Sequence, residues 1–283
     1  MKFAVIGNLG MFGKEIQSFL AAEGQIVSGF NRSNLDLSQS PENLVKALGA
    51  VDVVINAVGY TLVDEAESNK SLANLINGEY AGKLAQASSL ADAKFMHIST
   101  DYVFSGKTDT PASTNSPTTP VNAYGRSKEL GEQLIAKSGA NYQIFRTAWL
   151  YGANGNCFPK SIIRKLHKEE FVNVVNDQFG QPTWTRDLAS VVYAHSLAEY
   201  NEPIVHAVSS GSASWYDFAL AITASLGGQS EIKVNSISIK DLGLAAVRPK
   251  YSILENKGTD GPIIGDWRES WEVASSELIG STQ

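Results

Sequence analysis

The stretch Lys2-Phe-Ala-Val-Ile-Gly-Asn-Leu-Gly-Met-Phe-Gly13 opens with an apolar, β-branched run and continues through glycines at positions 7, 10 and 13. Residues 14–22 then carry apolar side chains at helical intervals. This order predicts a strand, a tight turn and a helix. Glycines suit the turn because the backbone can approach a pyrophosphate without an intervening Cβ, while the helix N-terminus offers free N–H groups to the anion. Gly7, Gly10 and Gly13 are therefore candidate cofactor-binding residues, although their spacing is GxxGxxG rather than GxGxxG.

Further apolar runs alternate with helical stretches along the first half of the chain, as is typical of a parallel sheet wrapped by helices. We therefore predict an α/β fold with a Rossmann-type doubly wound parallel sheet. Ligands bind such sheets beyond the carboxyl ends of the strands, so the loops after these strands should meet at one crevice. The predicted strands cover 25–30, 51–56, 94–99 and 142–147, and the predicted helices cover 65–89 and 127–137.

After residue 151 the alternation weakens, which suggests a smaller lobe interleaved with the sheet. We assign 1–150 to an NAD(P)-binding Rossmann domain and 151–283 mostly to a substrate-binding lobe, with about 180–210 returning to the Rossmann domain. A loop over 105–119, rich in Ser, Thr and Pro, is expected to line or cover the site. Residues 260–283 could pack, join a neighbouring copy or fray. The other predicted elements are strands at 171–175 and 203–208, a helix over 185–199 and a helix capped near Ser214.

A second motif, Asn122-Ala-Tyr-Gly-Arg-Ser-Lys128, lies at the start of a helix predicted over 124–135. Tyr124 and Lys128 are four residues apart, so their side chains would share one face of that helix. A tyrosine has an ordinary pKa of about 10, and a neighbouring cation lowers that pKa by favouring the phenolate. An isolated pair with this spacing is commonly just a surface contact. The glycine turn and the segment ending in Thr100 favour instead a site that hands a proton to a ketone oxygen.

The residues after the second predicted strand bear on the choice of cofactor. NAD-selective sites usually place an acid there to hold the ribose 2′-hydroxyl, whereas this chain has Asn31 and Arg32. An arginine beside a small polar residue can accept the 2′-phosphate through charge-assisted hydrogen bonds. We therefore predict that NADP(H) is preferred over NAD(H).

Composition favours a soluble cytoplasmic enzyme: the net charge is −6 and 43% of the 283 residues are hydrophobic. The acidic balance and the lack of a basic stripe argue against a nucleic-acid partner. No apolar run approaches the roughly 20 residues needed to cross a bilayer, so no membrane association is expected. The single cysteine, Cys157, excludes an internal disulfide, and the four histidines show no metal-ligand spacing.

Together these motifs resemble those of the extended short-chain dehydrogenase/reductases, and within them the dTDP-4-dehydrorhamnose reductase family. The resemblance spans nearly the whole chain. It is carried by GNLGMFG at 7–13, LDLS at 35–38, INAVGYTLVDEAES at 55–68, STDYVFSG at 99–106, NAYGRSKELGE at 122–132, RTAWLYG at 146–152, VVNDQFGQPTW at 174–184 and RPKYSIL at 248–254.

The resemblance implies NAD(P)H-dependent reduction of the C4 ketone of dTDP-4-dehydro-L-rhamnose to dTDP-L-rhamnose, a step of polysaccharide precursor synthesis. It implies that Tyr124 donates the proton and that Thr100 hydrogen-bonds the same oxygen. It also implies that Lys128 holds the nicotinamide ribose and lowers the pKa of Tyr124. Asp101 and Trp149 would face the sugar. The remaining implied cofactor contacts are Gly10, Met11 and Phe12 at the pyrophosphate, Asp36 and Leu37 on the adenine side, and Ala57, Val58 and Tyr60 on the ribose side.

Two alternatives stay open at this point. One is another epimerase, dehydratase or ketoreductase of the same superfamily, which would also use Tyr124 and Lys128; the epimerases and dehydratases keep their nicotinamide bound. The other is a non-catalytic regulatory subunit resembling that of methionine adenosyltransferase. Some members of the family are linked to magnesium, for which acidic residues at a dimer contact could be the ligands, but no acidic cluster in this sequence can be assigned to a cation. We predict no catalytic metal, while a structural or stimulatory magnesium ion stays open. We expect a dTDP-sugar and a second copy of the chain as partners.

Overall fold

The apolar runs of the first half form the strands of one parallel sheet. The computed structural model describes residues 1–169, 171–198, 202–227, 233–257 and 261–282. Up to residue 147 its elements are β1 (Lys2–Ile6), α1 (Met11–Ala22), β2 (Ile26–Phe30), α2 (Pro41–Leu48), β3 (Val53–Asn56), α3 (Val63–Ser68), α4 (Lys70–Ala73), a π-helical turn (Asn74–Glu79), α5 (Tyr80–Leu90), β4 (Lys94–Thr100), a 3₁₀ turn (Asp101–Val103), α6 (Ala123–Ala136) and β5 (Tyr142–Thr147).

The second half has shorter strands and four more helices among the described residues. Its elements are β6 (Leu150–Tyr151), α7 (Phe158–Leu166), β7 (Phe171–Val175), β8 (Phe179–Gly180), β9 (Thr183–Trp184), α8 (Thr185–Leu197), β10 (Ile204–His206), β11 (Ala213–Ser214), α9 (Trp215–Ser225), β12 (Lys233–Ile237), a 3₁₀ turn (Ile239–Leu242) and α10 (Trp267–Gly280).

The main sheet has six strands in the order β10-β5-β4-β3-β1-β2, and each neighbouring pair is parallel. The chain steps outward from β1 to β2 and then returns to β3 on the other side, so the strand order reverses between β1 and β3. Apolar residues cover both faces of the sheet, with Phe3 and Val5 directed into one core cluster and Ala4 and Ile6 into the other. The predicted Rossmann-type doubly wound sheet is confirmed.

The prediction of one continuous helix over 65–89 is wrong. The structure has α3, α4, the π-helical turn and α5 in its place. The Asn69 side chain donates to the Glu65 carbonyl at 3.1 Å, and such a local side-chain bond competes with the helical ladder. Helix α2 had not been predicted, although Ser40 followed by Pro41 is a recognised helix start.

Two other expectations are settled by the fold. The loop over 105–119 lines a separate cavity of about 320 Å³ together with residues 251–254, and not the crevice at the strand ends. The C-terminal stretch packs: α10 buries Trp267, Trp271 and Leu278 in the core of the second half. Asp260 and Glu199, which bounded two of the predicted segments, lie outside the described residues, and the predicted strand at 203–208 is shorter, covering Ile204–His206.

Candidate active site

A cleft runs along the carboxyl ends of β1, β3, β4 and β5. It consists of two cavities of about 640 and 550 Å³, which share Leu9, Gly10, Ala57, Val58 and Gly59 as lining residues. The shared residues follow β1 and β3, where the strand order reverses. In open α/β sheets ligands bind at this reversal.

The glycine turn forms the floor where the two cavities meet. Gly7 has φ +85°, and a Cβ on it would lie 2.9 Å from the Val58 backbone nitrogen. A Cβ on Gly13 would lie 2.1 Å from the Gly7 carbonyl oxygen, so that glycine sets the contact between α1 and the turn. Gly10 is the N-cap of α1, and no side chain among the described residues caps this end. The helix terminus is therefore open to an anion such as a pyrophosphate.

The larger cavity is the end expected to hold the adenosine half of a dinucleotide. Asn31, Arg32, Asp36 and Leu37 all line it. Asp36 accepts the Ser38 N–H at 2.9 Å, and this bond lowers the pKa of its carboxyl. Asn31 donates to the Asn8 side-chain oxygen at 3.1 Å, which ties the residue after β2 to the glycine turn.

The smaller cavity brings together the residues predicted for catalysis and substrate binding. Thr100, Asp101, Tyr124, Lys128 and Trp149 all line it, with Met11 and Phe12 on the cofactor side. Three elements supply them: the end of β4, the first turns of α6 and the loop after β5.

Local chemistry explains why α6 begins at this point. The Asn122 side chain accepts the Gly125 N–H at 2.8 Å and so caps the helix. A Cβ on Gly125 would lie 2.2 Å from the Tyr102 carbonyl oxygen, so glycine lets the helix approach the turn after β4. Both contacts bring Tyr124 next to Thr100 and Asp101.

The electrostatics of Tyr124 differ from the expectation. Burial raises the pKa of Tyr124 to about 12, and a hydrogen bond from Thr100 acts against this increase. The prediction that Lys128 lowers this pKa was therefore wrong, because desolvation of the phenolate is the largest effect. At neutral pH the phenol keeps its proton and can donate it.

Lys128 is 4% exposed and its amine is held by β4. Its Nζ donates to the Ile98 carbonyl at 2.6 Å and lies 3.1 Å from His97 Nε2. Burial lowers the pKa of Lys128 to about 8, and the Glu132 carboxylate partly offsets that effect. Glu132 itself is buried in an ion pair with Arg146, at 2.6 Å.

Asp101 is the one buried carboxylate among the residues lining the smaller cavity. It is 3% exposed and accepts the Thr100 hydroxyl at 2.9 Å. Burial raises the pKa of Asp101 to about 6, while hydrogen bonds from Ser252 and Thr100 act in the opposite direction. The carboxyl can therefore change its charge close to neutral pH.

Trp149 is held as a flat wall by a partner from the second half. Its ring stacks on Trp215, with centroids 3.4 Å apart and planes 4° apart. Its backbone has φ +44°, which is unusual for a non-glycine residue. Sequence reasoning missed Trp215, because no pattern links two tryptophans 66 positions apart.

Two of the predicted cofactor residues do not line either cavity: Gly13, which packs against the turn, and Tyr60. The Tyr60 backbone is bonded in both directions to the Asn77 side chain, at 2.7 and 3.0 Å. Asn77 also donates to the Ser127 hydroxyl at 2.8 Å and so joins the loop after β3 to α6. Sequence reasoning missed Asn77, because the π-helical turn that directs it inward has no recognisable sequence signature.

Within the described residues, no group of three or more His, Cys, Asp or Glu side chains is arranged to hold a metal ion. None of the helices in that same part of the chain has the length and apolar character needed to span a bilayer.

The doubly wound sheet, the glycine turn and the Tyr-Lys pair facing one cleft define the class of protein, a short-chain dehydrogenase/reductase. The family model described as the RmlD substrate binding domain matches residues 1–282. The chain belongs to the dTDP-4-dehydrorhamnose reductase family, as the motifs implied.

Individual relatives match over almost their full length. The chain is 38% identical to a dTDP-4-dehydrorhamnose reductase of Burkholderia thailandensis, covering 99% of both chains. It is 34% identical to a dTDP-4-keto-6-deoxy-D-glucose reductase of Streptomyces niveus, covering 95% of this chain and 91% of that one.

Solved structures of similar proteins share the fold closely. The structure of a dTDP-4-dehydrorhamnose reductase from Clostridium acetobutylicum has a TM-score of 0.91 at 34% identity, covering 98% of this chain and 99% of that one. A dTDP-4-dehydrorhamnose reductase from Bacillus anthracis, solved in complex with NADP, has a TM-score of 0.90 at 34% identity, with the same coverage of 98% and 99%.

Proposed function

We propose that this protein reduces the C4 ketone of dTDP-4-dehydro-L-rhamnose to dTDP-L-rhamnose with NADPH. The observation that carries the proposal is the position of Tyr124, Lys128 and Thr100 in one cavity that opens directly into the cavity of the glycine turn. A ketone beside Tyr124 would thus lie next to a bound dinucleotide. The relatives named above reduce 4-keto sugars carried on dTDP, and this supports the choice of substrate class.

The chain's own residues account for the proton and for orientation. When bound, the nicotinamide supplies the hydride. Tyr124 donates its proton to the oxygen of the former ketone, because burial keeps the phenol protonated. The Thr100 hydroxyl offers a second hydrogen bond to that oxygen. Lys128 would hold the ribose of the cofactor, and Asp101 and Trp149, which line the same cavity, would form the wall that faces the sugar.

The same residues fit NADP(H), and the preference over NAD(H) is part of the proposal. The open terminus of α1 can bind the pyrophosphate, as described above. Arg32 is exposed at the rim of the larger cavity, beside Asn31, where its guanidinium can pair with a 2′-phosphate. The NADP complex of the Bacillus anthracis relative supports a nicotinamide cofactor.

A second candidate is the reduction of a different dTDP-4-keto-6-deoxy sugar. The Streptomyces niveus relative, which acts on a D-glucose derivative, is nearly as similar to this chain as the rhamnose enzymes are. The two candidates need the same Tyr124 chemistry and differ in the sugar wall. A comparison of kcat/KM for the two 4-keto sugars decides between them.

The test is to supply dTDP-4-dehydro-L-rhamnose, follow NADPH and NADH absorbance, and repeat the assay with Tyr124→Phe. We expect the wild type to oxidise NADPH at least as fast as NADH. The Phe variant should lose about 10³-fold in kcat while its NADPH affinity stays within about threefold of wild type, because the phenol acts only in proton transfer. An active Phe variant would show that the proton comes from another group.

The same assay separates the alternatives left open by the sequence. NAD bound tightly in the purified protein and not exchanged would favour an epimerase or a dehydratase. A protein without turnover that captures a synthetase would favour a regulatory subunit. The absence of a catalytic metal, homodimer formation and a cytoplasmic location stay predictions, and assay with EDTA together with light scattering of the purified protein tests the first two.

A further inference from the structure

We propose that His97 is a positioning residue for the reaction proposed above: its ring orients the Lys128 amine and favours the uncharged form of that amine. His97 lies on β4, three residues before Thr100, and its side chain is fully buried. Its two ring nitrogens face Asn56 on β3 and Lys128 on α6. The ring therefore connects the strand end beneath the cofactor loop to the lysine in the cleft.

The hydrogen bonds around Asn56 determine which ring nitrogen of His97 carries the proton. The Val58 backbone N–H, which is only a donor, lies 3.1 Å from Asn56 Oδ1. That contact turns the amide nitrogen of Asn56, also only a donor, toward His97 Nδ1 at 3.0 Å. Nδ1 must therefore accept, and a neutral His97 carries its hydrogen on Nε2.

The Nε2–H of His97 then points at Lys128 Nζ, 3.1 Å away. An ammonium group has three donors and no lone pair, so a charged Lys128 would bring a second donor against this N–H. An uncharged amine has a lone pair that accepts it and still donates to the Ile98 carbonyl at 2.6 Å. The orientation of Asn56 is thus transmitted through His97 to the charge of Lys128.

Burial and nearby charge both lower the pKa of the His97 imidazole. Burial, and next the positive charge of Lys128, hold the pKa of His97 well below its ordinary value, so the ring stays neutral. Burial also lowers the pKa of Lys128 to about 8. Glu132 on α6 is the charged group that acts on Lys128 in the opposite direction, and Arg146 on β5 pairs with that carboxylate. The other titratable groups that face Lys128 are His97, 3.1 Å away on β4, and Asp101 and Tyr124, which line the same cavity.

This arrangement has a consequence for the reductase, and it rests on the proposed function. Lys128 would change its charge near the working pH, well below the pH at which Tyr124 loses its proton. The upper pH limit of activity should then be set by the pKa of Lys128. This limit should move when His97 no longer directs its Nε2–H at Lys128.

The first measurement is ¹⁵N NMR of the intact protein labelled at histidine, with two-bond N–H couplings that identify the tautomer. His97→Phe assigns the signal, since the imidazole nitrogens of residue 97 are then absent. We expect wild-type His97 to be neutral with the proton on Nε2 from pH 6 to 9. In Asn56→Asp, whose oxygens accept from both Val58 and His97, we expect the proton to move to Nδ1.

The second measurement is the pH profile of kcat/KM with NADPH. We expect the upper limb to move upward by about one pH unit in Asn56→Asp and in His97→Phe, because neither variant directs an N–H at Lys128. Phe95→Leu is the matched control, because the Phe95 ring is stacked on the His97 ring, with centroids 6.3 Å apart, and makes none of these hydrogen bonds. In Phe95→Leu, the pH at which kcat/KM falls should be the same as in the wild type.

A wild-type His97 protonated on Nδ1 or on both nitrogens would overturn the proposal, as would an upper limb that stays fixed in both variants. If His97→Phe does not fold, Asn56→Asp still gives both measurements. If no 4-keto sugar is reduced, the proposed function fails while the tautomer remains measurable, and NADPH binding followed by fluorescence across the same pH range replaces the kinetic profile.

Discussion

The two halves of the chain are built by different means. Up to residue 147 the core is formed by five parallel strands whose alternate side chains pack under helices on both faces. From residue 148 the ladders among the described residues are two strands wide, apart from β10, which joins the main sheet. The core there is aromatic, and all five tryptophans of the chain lie in this half, at positions 149, 184, 215, 267 and 271.

The two halves also contribute differently to the ligand site. Every residue lining the larger cavity lies between positions 6 and 80, so the first half builds the adenosine end alone. The smaller cavity needs both halves, because Trp149 is supported by Trp215 and Asp101 by Ser252. Cofactor binding should therefore depend on backbone geometry in the first half, whereas sugar binding should depend on packing in the second.

The largest effect should come from the aromatic core. Trp271 is 3% exposed, contacts Tyr151 and Phe218, and donates to the Ser225 hydroxyl at 3.0 Å. Trp271→Ala should lower the free energy of unfolding by about 4 kcal/mol, measured by chemical denaturation. Trp271→Phe, which keeps a ring, should lose less than half of that. NADPH affinity of the folded fraction should stay within about threefold, and a larger loss would contradict the separation of the two halves.

The reciprocal change is Gly13→Ala in the first half. Its Cβ would lie 2.1 Å from a backbone oxygen that has no freedom to move away. We expect a loss of at least about 3 kcal/mol in the free energy of unfolding and weaker NADPH binding in a fluorescence titration. Gly280→Ala in the last turn of α10 is the control, because no heavy atom within 4 Å would meet its Cβ. Equal effects at the two glycines would refute the argument.

Asp101 lies where the two halves meet, and its burial should make the free energy of unfolding depend on pH. Its pKa of about 6 in the folded protein lies above the ordinary value of 3.8, so the folded state keeps a proton that the unfolded chain has lost. Stability should therefore fall as pH rises from about 4 to 6. Asp101→Asn removes this dependence, and its unfolding free energy relative to wild type should increase by about 2 to 3 kcal/mol between pH 4 and 7.5. A constant difference across this range would show that the carboxyl is not desolvated.

The smallest effect is expected at the ion pair that joins the halves on the surface. Asp64 on α3 accepts from Arg248 and from the Ala246 N–H at 2.9 Å. Asp64→Ala should lower the unfolding free energy by about 1 kcal/mol, since the pair is partly exposed and solvent screens it. Lys257→Ala breaks an exposed pair within the second half and should change stability by less than about 0.3 kcal/mol. Thermal unfolding of the two variants side by side measures the contrast.

The sequence was most informative where a local pattern repeats. Continuous apolar runs and glycine positions predicted β1 to β5, the turn and the start of α6, because those features depend on neighbouring residues alone. The family motifs likewise pointed to Thr100, Tyr124 and Lys128, which the structure brings into one cavity. The breaks in the helix over 65–89 were not predicted, because the apolar spacing continues through Asn69, whose side chain bonds locally to the Glu65 carbonyl, and through the π-helical turn, which has no recognisable sequence signature. The division of the chain near residue 150 stays a prediction.

By itself the sequence determined the α/β class, the parallel strands of the first half and the membership of a reductase family, because each of these follows from side-chain periodicity or from contiguous motifs. Only the tertiary structure decided that Trp215 supports Trp149, that Asn77 joins the cofactor loop to α6, and that His97 lies between Asn56 and Lys128. These contacts join residues 17 to 66 positions apart. Their distances and hydrogen-bond directions depend on how the strands and helices pack, and no local pattern encodes that packing.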